Sequence, residues 1–191
     1  MSQTLRIGHR LDHSEIYGPG IRSVFWTQGC TLACKGCWNT QYWSSIGGGE
    51  IEVSQILSEL DNLKGIEGIT LLGGEPLQQP KASLELIKGC KDRGLSVFLY
   101  TGYDPSEFDE TMQACFDASD IAVTGRFVQE LRDTTLRWRG SRNQQVHFIS
   151  NTYDESVLQE QTEVECHILP NGEIRMVGYA EPELVKIIGG D

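Results

Sequence analysis

Between residues 21 and 124 the chain alternates short apolar runs with stretches of helical periodicity. No other feature restricts the fold as much. Residues 21–28, centred on Val24, Phe25 and Trp26, read as a buried strand, and residues 66–72, 95–100 and 120–124 read as three more. Between them Val53, Ile56, Leu57, Leu60 and Leu63 recur at helical spacing, and a helix over about 80–92 carries Leu84, Ile87 and Cys90 on one face. A third helix is predicted from Asp104 as N-cap, with Pro105 at its first position and Glu107 three beyond the cap. Its inner face holds Phe108, Met112, Cys115 and Phe116. Strands separated by helices of this length form right-handed βαβ units and a parallel sheet. Ligands of such sheets sit beyond the carboxyl ends of the strands. After Gly125 the alternation weakens. Residues 129–145 read as a long polar loop, and 164–169 with 173–177 as a hairpin around Pro170-Asn171-Gly172.

One domain accounts for 191 residues, and a core of that size needs no disulfide staples. Lys and Arg number 16 against 27 Asp and Glu, a net charge of −11. That balance argues against general nucleic-acid binding and against an anionic membrane surface, since both require a positive footprint. No run approaches 18 apolar residues, and residues 1–10 lack the apolar centre of a signal peptide. A cytoplasmic address is expected. In a reducing compartment, clustered cysteines serve as metal ligands or catalytic groups more often than as disulfides.

Cys30, Cys34 and Cys37 form such a cluster, with C-x3-C-x2-C spacing in the loop after the first parallel strand. Three thiolates on one tight loop are the soft ligand set of iron–sulfur clusters or zinc. A cubane held by three cysteines leaves one iron open to chelate a small molecule. Zinc needs a fourth protein ligand, for which Cys166, His167, His147 and His13 are distant candidates without supporting spacing. The bland reading is three cysteines packed as small hydrophobes, and it fits Cys90 and Cys115, which fall on apolar helix faces. Gly73-Gly74-Glu75-Pro76 ends the second parallel strand, and Thr101-Gly102 ends the third. The topology sets both turns on the same rim as the cysteine loop.

With the cysteine triplet after the first strand and Gly-Gly-Glu-Pro after the second, the chain resembles the radical S-adenosylmethionine (SAM) enzymes. Gly18-Pro19-Gly20-Ile21-Arg22, Cys34-Lys35-Gly36-Cys37-Trp38-Asn39, Gly125-Arg126-Phe127-Val128-Gln129-Glu130-Leu131-Arg132 and Trp138-Arg139-Gly140-Ser141-Arg142-Asn143-Gln144 narrow the likeness. These segments, with a Gly178-Tyr179 ending, resemble the anaerobic ribonucleoside-triphosphate reductase-activating proteins. Tyr17 and Thr124 depart from that pattern, each standing where these activases usually carry Asp. Thr124 offers only a neutral oxygen where an acidic residue helps hold a monovalent cation in related activases.

The resemblance implies an α/β fold: an open, partial TIM-type barrel of parallel strands with helices outside, as one domain with a core of about 18–150. A C-terminal extension over about 151–191 carries the short hairpin. It implies a [4Fe-4S] cluster on Cys30, Cys34 and Cys37, with SAM on the open iron cleaved reductively to a 5′-deoxyadenosyl radical. Glu75 would accept from the SAM ammonium, Gly73 and Gly74 would let backbone approach the ligand, and Pro76 would stiffen the turn. Thr101 and Gly102 would contact polar groups of SAM, unless Thr101 only caps its strand. Trp38 would shield the cluster or pack beside adenine, or else form core, and Asn39 would cap the loop or touch the ligand. Tyr42 and Trp43 read as loop packing or a partner-facing patch. The expected partners are a large glycyl radical enzyme, such as an anaerobic ribonucleotide reductase, and an electron donor such as flavodoxin or ferredoxin. Arg126, Arg132, Arg137, Arg139 and Arg142 form either a solvated face or a docking surface. Two alternatives stand beside this reading. One is a radical SAM enzyme acting on a peptide or small heterocycle, like the 7-carboxy-7-deazaguanine synthases, and the other is a non-catalytic zinc module.

Overall fold

The computed structural model describes residues 2–159, 164–168, 172 and 174–178. Four parallel strands form its centre: β2 (Arg22–Thr27), β4 (Gly68–Gly73), β5 (Ser96–Tyr100) and β6 (Ile121–Thr124). Nearly every residue in them is buried, as expected for strands covered on both faces. Three antiparallel strands extend this core: β1 (Thr4–Ser14), β3 (Gly49–Glu52) and β7 (Gln145–Phe148). The order is β3-β1-β2-β4-β5-β6-β7, an open sheet whose edges are β3 and β7. A separate antiparallel hairpin joins β8 (Val164–Ile168) to β9 (Ile174–Gly178), as the sequence predicts. Leu169, Pro170, Asn171, Glu173 and Tyr179 lie outside the described residues.

Three helices cover one face of the sheet: α1 (Val53–Asn62), α2 (Pro80–Lys91) and α3 (Glu110–Ala118). Val53, Ile56 and Leu60 of α1 and Leu86, Ile87 and Cys90 of α2 pack against Phe25, Ile69, Leu71, Val97 and Leu99. Cys90 and Cys115 are fully buried there, in accord with their reading as core. The third helix starts later than predicted. Asp104 and Glu107 do form a reciprocal capping box, but it closes only a 3-10 turn over Pro105–Glu107. Phe108 is then extended, and Asp109 caps α3 by accepting from the Thr111 and Met112 amides at 2.8 Å.

The opposite face carries Val24, Trp26 and Leu72, then Phe98, Ile121 and Val123. Loops cover it instead of helices, and the cavity opens there. At the amino ends of the parallel strands, Arg22 is wholly buried, and among the described residues no carboxylate pairs with it. Its Nε donates to Thr70 Oγ1, Nη1 to Pro19 O and Ser96 Oγ, and Nη2 to Ile69 O and Ser96 O, all within 3.0 Å. Burial pulls its pKa down while this ring of neutral oxygens satisfies every donor. The Gly-Pro-Gly-Ile-Arg motif thus fastens the far end of the sheet; a Cβ at Gly18 would lie 2.6 Å from Arg22 Cδ. Among the described residues no helix is long and apolar enough to cross a membrane.

Candidate functional site

Parallel register brings four carboxyl ends to one rim. Thr27 of β2 sits opposite Gly73 of β4, Leu71 opposite Leu99, and Tyr100 opposite Val123. The loops leaving these ends surround a cavity of about 240 Å³. Cys30, Cys34, Cys37, Trp38 and Asn39 line it from the first loop, and Gly73, Gly74 and Glu75 from the second. Thr101 and Gly102 line it from the third. Pro76 does not: it is buried behind the turn, where its carbonyl accepts from Ser83 Oγ at 2.8 Å. Trp43 reaches the cavity, whereas Tyr42 packs with Trp26 and Leu72.

The cysteine loop is anchored at both ends by backbone. Gly29 N donates to Tyr42 O and Cys30 N to Trp43 O, at 2.8 and 2.9 Å, while Cys37 N closes a turn onto Cys34 O at 3.1 Å. All three thiols are free and partly buried. Burial pushes the Cys30 and Cys34 thiols up, opposed at Cys34 by the Phe127 backbone and the nearby Arg126 charge. Among the described residues no three His, Cys, Asp or Glu side chains converge closely enough to hold a single metal ion. The zinc candidates are dispersed: His13 bonds Lys64 O, His147 bonds Thr124 Oγ1, and Cys166 and His167 lie on the hairpin.

Glu75 ties the second loop to the third. Its Oε1 accepts from Leu77 N and Thr101 Oγ1, both at 2.9 Å, and its Oε2 from Gly102 N at 2.8 Å. Burial raises its pKa to about 7 against the pull of those three donors. Thr101 therefore bonds Glu75 as well as ending its strand. The two glycines are demanded by the chain's own backbone. Gly73 has φ +106°, and a Cβ there would lie 2.5 Å from Trp26 Cα; at Gly74 it would lie 2.5 Å from Gly29 O. What approaches these glycines closely here is the end of β2 and the cysteine loop.

The arginine-rich segment forms the far wall. Leu136, Arg137, Trp138 and Gly140 line the cavity, and Trp138, at φ +59°, packs edge-on against Phe98 at 5.1 Å. Arg137 lies over the Trp138 ring at 4.7 Å and Arg132 over Trp38 at 4.8 Å, while Arg126 pairs with Glu107 at 2.6 Å. Much of this segment is thus folded onto the site. Thr124 is buried, does not line the cavity and spends its hydroxyl on His147. Gln78 escapes the motif reading. Its Oε1 accepts from Thr31 N, and its Nε2 donates to Thr31 Oγ1 and Tyr103 OH, so it braces the cysteine loop beside Cys30. Its position two residues past the Gly-Gly-Glu-Pro turn is the signal that marks it. Trp26 and Tyr100, strand residues facing away from the helices, also line the cavity.

A family model described as a 4Fe-4S single cluster domain matches residues 16–147. The anaerobic ribonucleoside-triphosphate reductase-activating protein of Vibrio cholerae is 36% identical over 142 residues, covering 69% of this chain and 90% of that protein. Its Escherichia coli K12 counterpart is 33% identical over 142 residues, covering 70% and 92%. The pyruvate formate-lyase-activating enzyme of Clostridium pasteurianum is 35% identical over 102 residues, half of this chain and 43% of that enzyme. The expectation from the motifs and these likenesses agree, and the chain belongs to the family of 4Fe-4S activating enzymes that includes the anaerobic ribonucleoside-triphosphate reductase-activating proteins.

Proposed function

We propose that this chain is a radical SAM activase that installs a glycyl radical on an anaerobic ribonucleotide reductase or a similar enzyme. The observation that carries the reading is the convergence of three free cysteines and the Gly-Gly-Glu turn on one cavity at the carboxyl rim of the parallel strands. We read those strands as an open arc of a TIM-type barrel. The donor set suits a cubane better than zinc, because each thiolate of a cubane holds a different iron and the three sulfurs need not meet at one point. Cys30, Cys34 and Cys37 would hold it, their thiols giving up protons as they ligate. When bound, the cluster and SAM supply one-electron cleavage of SAM to methionine and a 5′-deoxyadenosyl radical.

The protein's part is to bind, orient and exclude water. Glu75 fixes the distance between two ligand-facing turns and presents its carboxylate to the SAM ammonium. The aromatic walls, Trp26, Tyr100 and Trp138 among them, keep water from a reactive radical. The cavity mouth admits a glycine-bearing loop of the partner, and an acidic electron carrier such as flavodoxin or ferredoxin supplies the electron.

Anaerobic reconstitution tests the ligand set. About four irons and four sulfides should bind per chain. Cys34→Ala should abolish them, while Cys90→Ala keeps them and costs only stability, on the order of 1 kcal/mol. Zinc without sulfide, or iron that depends on Cys90, would sink the reading. With SAM and reductant, one 5′-deoxyadenosine should form per glycine-centred radical on the partner. Product that appears only with a peptide or small heterocycle would place the chain in another radical SAM class.

A further inference from the structure

The β8–β9 hairpin lies beyond the residues the family model matches, and it forms its own two-stranded sheet. Such a hairpin is marginal on its own in water, so its contacts decide where it sits. Among the described residues, three hydrogen bonds tie it to the end of β1 and the loop that follows. Glu165 Oε2 accepts from Ser14 Oγ at 2.8 Å and Oε1 from Glu15 N at 2.5 Å. At the other strand, Gly178 N donates to Tyr17 OH at 3.2 Å. Ser14 is buried, and His167 Nε2 lies 3.3 Å from Glu165 Oε2, which steadies the carboxylate from the hairpin side. Ile16, Tyr17 and Gly178 all line the cavity, and Tyr17 stands edge-on to Trp26 at 5.0 Å. An element added to the family domain therefore supplies part of the cavity wall, and among the described residues one carboxylate accepts two of the hydrogen bonds that seat it.

We propose that the hairpin is a strap across the cavity mouth, with Glu165 as its clasp and Tyr17 as the contact that seats it against the site. Closed, it narrows the entrance; released, it widens the way in for SAM and for the partner's glycine loop. The proposal rests on the cavity being the site of the reaction proposed above. Glu165 is a positioning residue that touches neither ligand.

All four tryptophans of the chain, Trp26, Trp38, Trp43 and Trp138, line this cavity, so their quenching by acrylamide reports its openness. In the full chain purified anaerobically, Glu165→Ala should speed amide exchange at Glu15 and Gly178 at least about tenfold, since exchange follows local opening. Amides of β5 should be unchanged, showing that the fold survives. Quenching should rise about twofold, and the SAM association and dissociation rates should rise together by about threefold or more. Glu165→Gln, which retains one acceptor oxygen, should fall between, and Tyr17→Phe should release Gly178 alone. Faster exchange with unchanged quenching and unchanged SAM rates would overturn the strap, leaving a hairpin merely packed on the surface. Unchanged exchange would remove Glu165 as the clasp. If the wild-type chain binds no SAM, the functional reading fails, while exchange and quenching still decide the strap.

Discussion

A carboxyl group held half-protonated at neutral pH beside a ligand cavity is sensitive to whatever charge arrives. Glu75 is buried, and its pKa sits at about 7 because desolvation outweighs its three donors. Its effect on the empty fold has a definite sign. The unfolded chain releases the Glu75 proton near the ordinary carboxyl value, while the folded chain keeps it until about pH 7. The folded state therefore holds more protons across that window, and stability falls as pH rises through it. An ammonium bound beside the carboxylate reverses the preference and drives the proton off. SAM binding at pH 7 should release about half a proton, approaching one near pH 6 and none above about pH 8. Calorimetry in buffers of different ionisation enthalpy measures this directly. Glu75→Gln should abolish the release and weaken SAM binding about 10- to 100-fold, the loss of a charge-assisted hydrogen bond. The cluster should stay intact. Proton release unchanged in Glu75→Gln would take Glu75 out of the SAM site and leave it as a brace between turns.

Elements were legible in the sequence where burial on both faces made them almost wholly apolar. β2, β4, β5 and β6 announce themselves, as do the buried stripes of α1 and α2. β1 did not, because beyond Leu5 and Ile7 it carries Arg10, Asp12 and His13, and its pairing comes from a neighbour rather than its own pattern. β3 and β7, four residues each at the sheet edges, are too short to show a period. The site was legible through spacing along the chain: C-x3-C-x2-C and Gly-Gly-Glu-Pro are local. Trp26, Tyr100 and Trp138 reach the cavity, and Gln78 the cysteine loop, only through strand register and loop folding, which local pattern does not encode. The glycines of the turn are required by the chain's own backbone. At Gly74 a Cβ would meet the carbonyl oxygens of Gly29, Thr27 and Tyr42 at 2.5, 2.9 and 2.9 Å, all of them backbone. Backbone cannot swing aside as a side chain does, so Gly74→Ala should displace the cysteine loop at a cost of about 1–3 kcal/mol. Iron content after reconstitution should drop well below the wild-type value. Gly102→Ala meets chiefly the flexible tip of Leu32, at 2.5 Å, and should keep its cluster. Equal iron in both variants would mean that the turn is not shaped by that contact.

At the scale of the whole molecule, charge is unevenly placed. The chain carries −11 overall, yet residues 126–142 hold five arginines against Glu130 and Asp133. The structure sets this segment against the cysteine loop and around the cavity, so positive charge gathers at the cavity's rim. The arginines differ in what they do there. Arg137 lines the cavity and lies over Trp138, and Arg126 is paired with Glu107, so both serve the local structure. Arg132 and Arg142 are exposed, with Arg132 stacked on Trp38 beside the cluster loop. A rim charge acts mainly on the rate of encounter and loses its reach once salt shortens the screening length to about 8 Å at physiological ionic strength. Replacing Arg132 and Arg142 together by Glu should therefore slow association with an acidic partner about 5- to 10-fold at low salt and far less at high salt. The dissociation rate should move little. SAM cleavage with a chemical reductant should persist, because neither side chain lines the cavity. Stopped-flow association across a salt series separates the outcomes. A double variant that associates at the wild-type rate in low salt would reduce these arginines to a solvated edge, and the partner would have to be recognised by the cavity mouth alone.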